Sequence, residues 1–455
     1  MTQHRFIPNT NQDQTKILQT IGVKSFDELL MGIPGSLKET RPLSIEAGLS
    51  EHEIRMRVQE LMTQSKVTQR GVSFLGAGVY DHFCPSLVNQ TTLRGEFLTS
   101  YTPYQPEMSQ GTLQALYEFQ SMVATLFAMP LSNGSHYDGA TSTAEAVLMA
   151  ARIQPTKKQV LISAGLHPQY LEVIQTYVLN LGLELVMVPL NAAGQTCEKT
   201  LAGMLNSQSA CVVVQSPNFF GVVEDQGLLA TKSKAQDALF ISVVTETLSL
   251  GVLKAPGQMG ADIATGEGQS LGIPMSFGGP YVGLFTAKDE YVRQMPGRLC
   301  GMSVDAQNRR AFTLTLSTRE QHIRREKATS NICTNQNLMA LWSCIWMAMV
   351  GKEGFREMAI QNMSKAQFAA QAMVKTGKVD LRFPSSKFFN EFTVQLKNTT
   401  AAEFVKACVE KEKLAPGLAL SSFHPQDKNG LLVCVTELKN SKEIERLVQC
   451  LTKYA

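Results

Sequence analysis

At 455 residues, with 44% hydrophobic and 18% charged side chains, the chain is long enough for two or three packed units and far from the composition of a disordered protein. Its 42 basic and 39 acidic residues leave a formal net charge of +3 with no dense block of one sign, which excludes an evident nucleic-acid binder. Nine scattered cysteines without a C-x-x-C pair, and seven histidines without ligand spacing, argue for reduced thiols in a cytoplasm and against a metal centre.

The first residues, Met1 to Asn11, are polar and carry Pro8, unlike the apolar core of an export signal. Residues 1–70 read as a helical arm, with an amphipathic helix opened by a Ser50 cap and Glu53 three positions on. Phe74-Leu75-Gly76-Ala77-Gly78 starts like a dinucleotide fingerprint, but Asp81 stands where a third glycine is needed and Pro85 follows. These glycines are therefore read as a turn that brings backbone close to another group. The loop Tyr101-Thr102-Pro103-Tyr104-Gln105-Pro106-Glu107 is stiffened by two prolines and precedes a helix that Ser109 is expected to cap. A loop of this kind serves either packing or an interface. Gly134 to Ala146 passes through Tyr137, Asp138 and several small hydroxyl residues into an expected helix, Ala144 to Arg152. Free amides at such a helix start suit an anion, although the same composition also makes an ordinary cap.

From Gln159 onward, β-rich runs (Val160 to Ser163, Leu185 to Val188, Cys211 to Gln215, Leu239 to Thr245, Tyr281 to Thr286) alternate with helical stretches such as Pro168 to Leu181. This predicts a mostly parallel sheet covered by helices, in a large α/β domain over 71–317. Beyond it, long helices and the runs Phe389 to Leu396 and Leu431 to Thr436 predict a smaller C-terminal α+β domain over 318–455. The apolar stretch Leu338 to Val350 is shorter than the ~20 residues of a membrane span. It reads as a buried helix with Leu338, Leu341, Trp342, Ile345 and Met349 on one face, and no membrane is expected. The cations Arg324, Arg325 and Lys327 would by themselves be a solvated face.

Four strings carry a resemblance that covers nearly the whole chain: YTPYQPE at 101–107, YDGATSTAEA at 137–146, GEGQSLGIPMSFGG at 266–279 and TREQHIRREKATSNICTNQ at 318–336. They resemble the P-protein family of the glycine cleavage system. The resemblance implies a fold type I, aspartate-aminotransferase-like architecture. It also implies glycine decarboxylation with pyridoxal 5'-phosphate (PLP) and transfer of the aminomethyl group to the lipoyl group of H-protein. Where a catalytic member resembles H-K-T, this chain has Gln269-Ser270-Leu271, so Ser270 replaces the PLP lysine, and a hydroxyl cannot form a Schiff base. No aspartate for the pyridine nitrogen is evident near Thr245-Glu246, and neither Lys254 nor Lys288 sits in a string resembling the lysine loop. The chain thus resembles the subunit 1 half of a two-chain enzyme, two of each, with PLP bound covalently by a lysine-bearing subunit 2. Candidates for the glycine pocket or a docking surface are Tyr101, Thr102, Tyr104, Glu107, Tyr137, Asp138, Arg319, His322 and Arg324, with no metal ligand. Two other readings stay open: a self-sufficient PLP enzyme such as an aminotransferase using another lysine, and a purely structural subunit that docks H-protein.

Overall fold

Reciprocal capping starts the N-terminal helices. Thr10 and Asp13 cap Asn11–Ile21, and Ser50 and Glu53 cap Glu51–Gln64, as the sequence suggests. With the short helix Phe26–Leu29 these form a unit of their own, and none of their residues is buried. The computed structural model describes residues 6–39, 41, 43–64, 71–330, 332 and 334–455. The rest of the predicted arm (1–5, 40, 42, 65–70), and Asn331 and Cys333 of the cationic string, lie outside the described residues.

The large sheet has seven strands in the order Leu131–Ser132, Gly283–Ala287, Ile263–Glu267, Leu239–Val244, Ser209–Gln215, Gln159–Ser163, Glu184–Val188. All pairings are parallel except those of Gly283–Ala287, which runs against both its neighbours. Ser209–Gln215 and Leu239–Val244 are buried at every position, as strands covered by helices on both faces must be. The strand Ile263–Glu267 was not foreseen, because Ala264, Thr265 and Gly266 carry little β-forming signal. Also unforeseen is the antiparallel hairpin of Leu299–Val304 and Arg310–Thr315.

A second, four-stranded antiparallel sheet (Val379–Leu381, Glu391–Leu396, Gly430–Cys434, Leu418–Ala419) carries its own apolar core with the helices Ala401–Glu412 and Ser441–Tyr454. Val72 and Phe74 belong to this core, and Val72–Ser73 pairs with Leu414–Ala415. The helix Asn337–Lys375 serves both cores across a break at Gly351, whose φ is 63°. Trp342 and Trp346 fill the first core and Ala366, Ala370 and Met373 the second. Its buried stripe runs through Met339, Trp342, Ser343 and Trp346, whereas Met349, expected on the buried face, is 43% exposed. The first core therefore extends past the predicted line at 317/318 into this helix.

Candidate functional site

The carboxyl ends of parallel strands are where a fold of this class places a ligand. Here the helix Gly139–Ile153 begins five residues before the predicted Ala144, because Asp138 caps it: its carboxylate accepts the Thr141 amide at 2.7 Å. Asp138 is thereby a capping residue. The Gly139 amide donates to Glu267 Oε2 at 2.9 Å, and Glu267 Oε1 takes the amides of Gln269 (3.1 Å) and Val282 (3.3 Å). Burial pushes the Glu267 carboxyl up to about 8, the Asp138 charge adds to that rise, and the amides, Gly139 first, oppose it. The helix start that could have met an external anion is thus occupied by the chain's own carboxyl groups, with the Tyr170 hydroxyl set against Gly139.

The segment Gly76 to His82 crosses the same strand ends. Gln269 makes two hydrogen bonds to the Tyr80 backbone, at 2.9 Å each, the Tyr80 hydroxyl donates to Glu391 at 2.8 Å, and the Ala77 amide reaches the same carboxylate at 2.6 Å. The close backbone approach expected of the glycines is met at Gly76, where a Cβ would overlap the Glu391 carboxylate and stand 2.7 Å from Cys434. His167 Nε2 lies 2.9 Å from the Ala77 carbonyl while its Nδ1 accepts the Gln169 amide, so Nε2 carries the proton. His82 lies between Glu246 (2.9 Å) and Glu437 (2.8 Å). Burial opposes its protonation, yet the two carboxylates prevail and raise the imidazole to about 10. Ser270 is 1% exposed and its hydroxyl has no hydrogen-bond partner among the described residues. Thr245 accepts from Gln215 at 3.1 Å. Lys254 is exposed, and Lys288 pairs with Asp262.

At the rim, the loop 101–107 does not gather its polar groups in one place. Tyr101 and Thr102 line a cavity of about 240 Å³ with Thr334, Asn335 and Leu338. Glu107 faces a separate groove beside the hairpin, lined by Arg309 and Arg310. Ser109 precedes the helix Gln110–Phe127 but makes no side-chain cap. The loop's exit is pinned instead by Gln110, which bonds both Pro106 and Phe312. Between them stands Tyr104, 54% exposed, whose hydroxyl accepts from the buried Arg298 at 3.0 Å. The His322 ring lies edge-on to Tyr104 at 6.1 Å, and His322 Nδ1 is 3.6 Å from Glu320.

Of the other predicted residues, Arg319 is buried and donates to the carbonyls of Met295, Gly297 and Leu316, so its guanidinium braces the backbone. His322 and Arg324 are exposed, beside exposed Arg325 and Lys327. Tyr137 is half-buried at the mouth of the Gly139–Ile153 helix. Sequence reasoning missed Glu267 and Gln269, although both lie in the string 266–279. It also missed Arg298, for which no local signal exists outside the four strings.

A scan against known families matches residues 4–451 to the glycine cleavage system P-protein. The chain is 48% identical to a "probable glycine dehydrogenase (decarboxylating) subunit 1" of Rhodospirillum centenum over 98% of both chains. It is 44% identical to one from Anoxybacillus flavithermus over 99% of both. A crystal structure of glycine decarboxylase (P-protein) of the glycine cleavage system in inhibitor-bound form superposes with a TM-score of 0.88, at 38% identity, over 99% of this chain and 100% of that one. A Burkholderia pseudomallei sphingosine-1-phosphate lyase, at 13% identity and a TM-score of 0.67 over 92% and 93%, shares the fold alone.

Proposed function

Because the chain belongs to the glycine cleavage system P-protein family, we propose that it is the half of a two-chain glycine decarboxylase that holds no PLP and completes the site of a lysine-bearing partner. Its place in glycine cleavage, as one subunit of a decarboxylating enzyme, is the family's. One observation supports this division of labour: the groups that occupy the strand ends. A phosphate at the Gly139 amide would displace the Glu267 carboxyl and meet the Asp138 carboxylate, where a phosphate site needs free donors. Ser270 offers no amine, and Gln269 and Tyr80 hold the segment 76–82 across the strand ends. The electron-withdrawing chemistry of PLP is accordingly assigned to the partner.

In this reading the loop 101–107 borders the partner's glycine site. The exposed cations His322, Arg324, Arg325 and Lys327 meet an acidic lipoyl carrier, the H-protein, mainly to speed encounter. Two copies of each subunit assemble, in the cytoplasm. No described helix is long and apolar enough to cross a membrane.

The test is to incubate the purified chain with PLP, reduce with borohydride and digest. No lysine should carry a stoichiometric adduct. A full-occupancy adduct at Lys254, Lys288 or any other lysine would return the chain to the self-sufficient enzymes.

A further inference from the structure

Arg298 is absent from every string that marks the family here, yet it organises the rim. It is 3% exposed, and its guanidinium donates to Tyr104 Oη at 3.0 Å and to Asn335 Oδ1 at 3.4 Å. Its Nε stands 4.0 Å from Glu320, which in turn neighbours His322. The Asn335 amide group donates to the Gly134 carbonyl, and the Gly134 amide donates to the Arg298 carbonyl at 2.8 Å. The Arg298 backbone and guanidinium are each tied to the Gly134–Asn335 pair, which holds the side chain beneath Tyr104.

A guanidinium is only a donor, so the phenol oxygen must be the acceptor, and its own proton is left to give. No acceptor among the described residues takes that proton, and the ring is 54% exposed. A hydroxyl that accepts a charge-assisted bond is polarised toward donating its own hydrogen, as chained hydrogen bonds are.

Resting on the reading that the loop 101–107 borders the partner's glycine site, we propose that Arg298 is a positioning residue that fixes the Tyr104 hydroxyl so that its proton points outward to a carboxylate substrate. A carboxylate is the complement of such a donor, and glycine supplies one. Arg298 itself does not touch the substrate. It acts through Tyr104, and it ties the loop 101–107 to the string 318–336, which also meet where the His322 ring lies against Tyr104.

The experiment uses the complete enzyme assembled with the lysine-bearing subunit and measures carbon dioxide released from carboxyl-labelled glycine. The variants are Tyr104→Phe, Arg298→Met, Arg298→Lys and the two double variants. Tyr104→Phe and Arg298→Met should each lower kcat/KM for glycine on the order of tenfold, and Arg298→Lys, which keeps the charge without the planar fork, should fall between. In the Tyr104→Phe background both Arg298 substitutions should cost little more, since the bond they remove is already gone. A structural role for Arg298 would instead cost the same in both backgrounds and would overturn the proposal. So would failure of both Arg298 variants to assemble with the partner. If Tyr104→Phe leaves both constants at their wild-type values, the reading of the loop falls. If Tyr104→Phe slows the enzyme but the Arg298 variants do not, the loop reading stands and this inference falls.

Discussion

Arg319 and Arg324 stand in the same cationic string, and the fold gives them opposite tasks. Arg319 satisfies three backbone carbonyls from a buried position, so Arg319→Ala leaves acceptors without donors. We expect a loss of about 1–3 kcal/mol, read as a lowered urea midpoint. Arg324 is exposed, so Arg324→Ala should stay within about 0.5 kcal/mol of wild type in stability. It should instead raise the Michaelis constant for H-protein at low salt and converge on wild type at high salt. An unchanged constant at both ionic strengths would remove docking from this string. Nothing in the sequence separates the two arginines, since both are cations in one family string and only burial distinguishes them. The same holds for Glu267, whose role depends on an amide contributed by Gly139 from far along the chain.

At the scale of elements, long buried strands and strongly periodic helices were legible, and the edges were not. The helix Gly139–Ile153 was placed late because Thr141, Ser142 and Thr143 are poor helix formers whose hydroxyls compete for backbone. Here Thr141 bonds the carbonyl of the capping Asp138 and Thr143 that of Gly139, so both hydroxyls turn back onto the helix's first turn. The glycines of 74–78 read as a close-approach turn and Gly76 makes one, but its target, Glu391, comes from the strand Glu391–Leu396 of the four-stranded sheet and carries no sequence mark. That closure can be broken locally. A Cβ at Gly76 would overlap Glu391 and Cys434, so Gly76→Ala should destabilise by about 1–3 kcal/mol through displacement of the Ala77 to Glu391 bond. A melting temperature equal to wild type would mean that the segment is not held across the cleft.

For the whole molecule, the buried His82 ties the segment 76–82 to Glu246, just past the strand Leu239–Val244, and to Glu437, just past the strand Gly430–Cys434. Asn390 also donates to Glu246, and Asn362 to Glu437. The folded-state value of about 10 lies above the ordinary 6.5, so the folded chain keeps a proton that the unfolded chain releases between them. Its contribution is complete below about 6.5 and is lost as pH rises through about 10. Glu267, at about 8, and Glu391, at about 7, slope the same way from their ordinary 4.5. The melting temperature should therefore fall as pH rises above about 6.5, and His82→Gln should lessen that fall. A curve that rises from about 6.5 to about 9 would contradict the buried imidazolium.

Fold class and family were legible because four long strings survive in order. What occupies the strand ends was only partly legible: Ser270 stood out in the sequence, but the contacts that cross there join distant residues such as Tyr80 and Gln269. The expectation is that this chain holds no PLP yet is needed for decarboxylation. Its most direct measurement is release of labelled carbon dioxide from glycine, with PLP and H-protein, by this chain alone, by the lysine-bearing subunit alone and by the two mixed. Turnover only in the mixture, with all protein-bound PLP recovered on the partner, is the predicted result. Turnover by this chain alone, or undiminished turnover by the partner without it, would contradict the account.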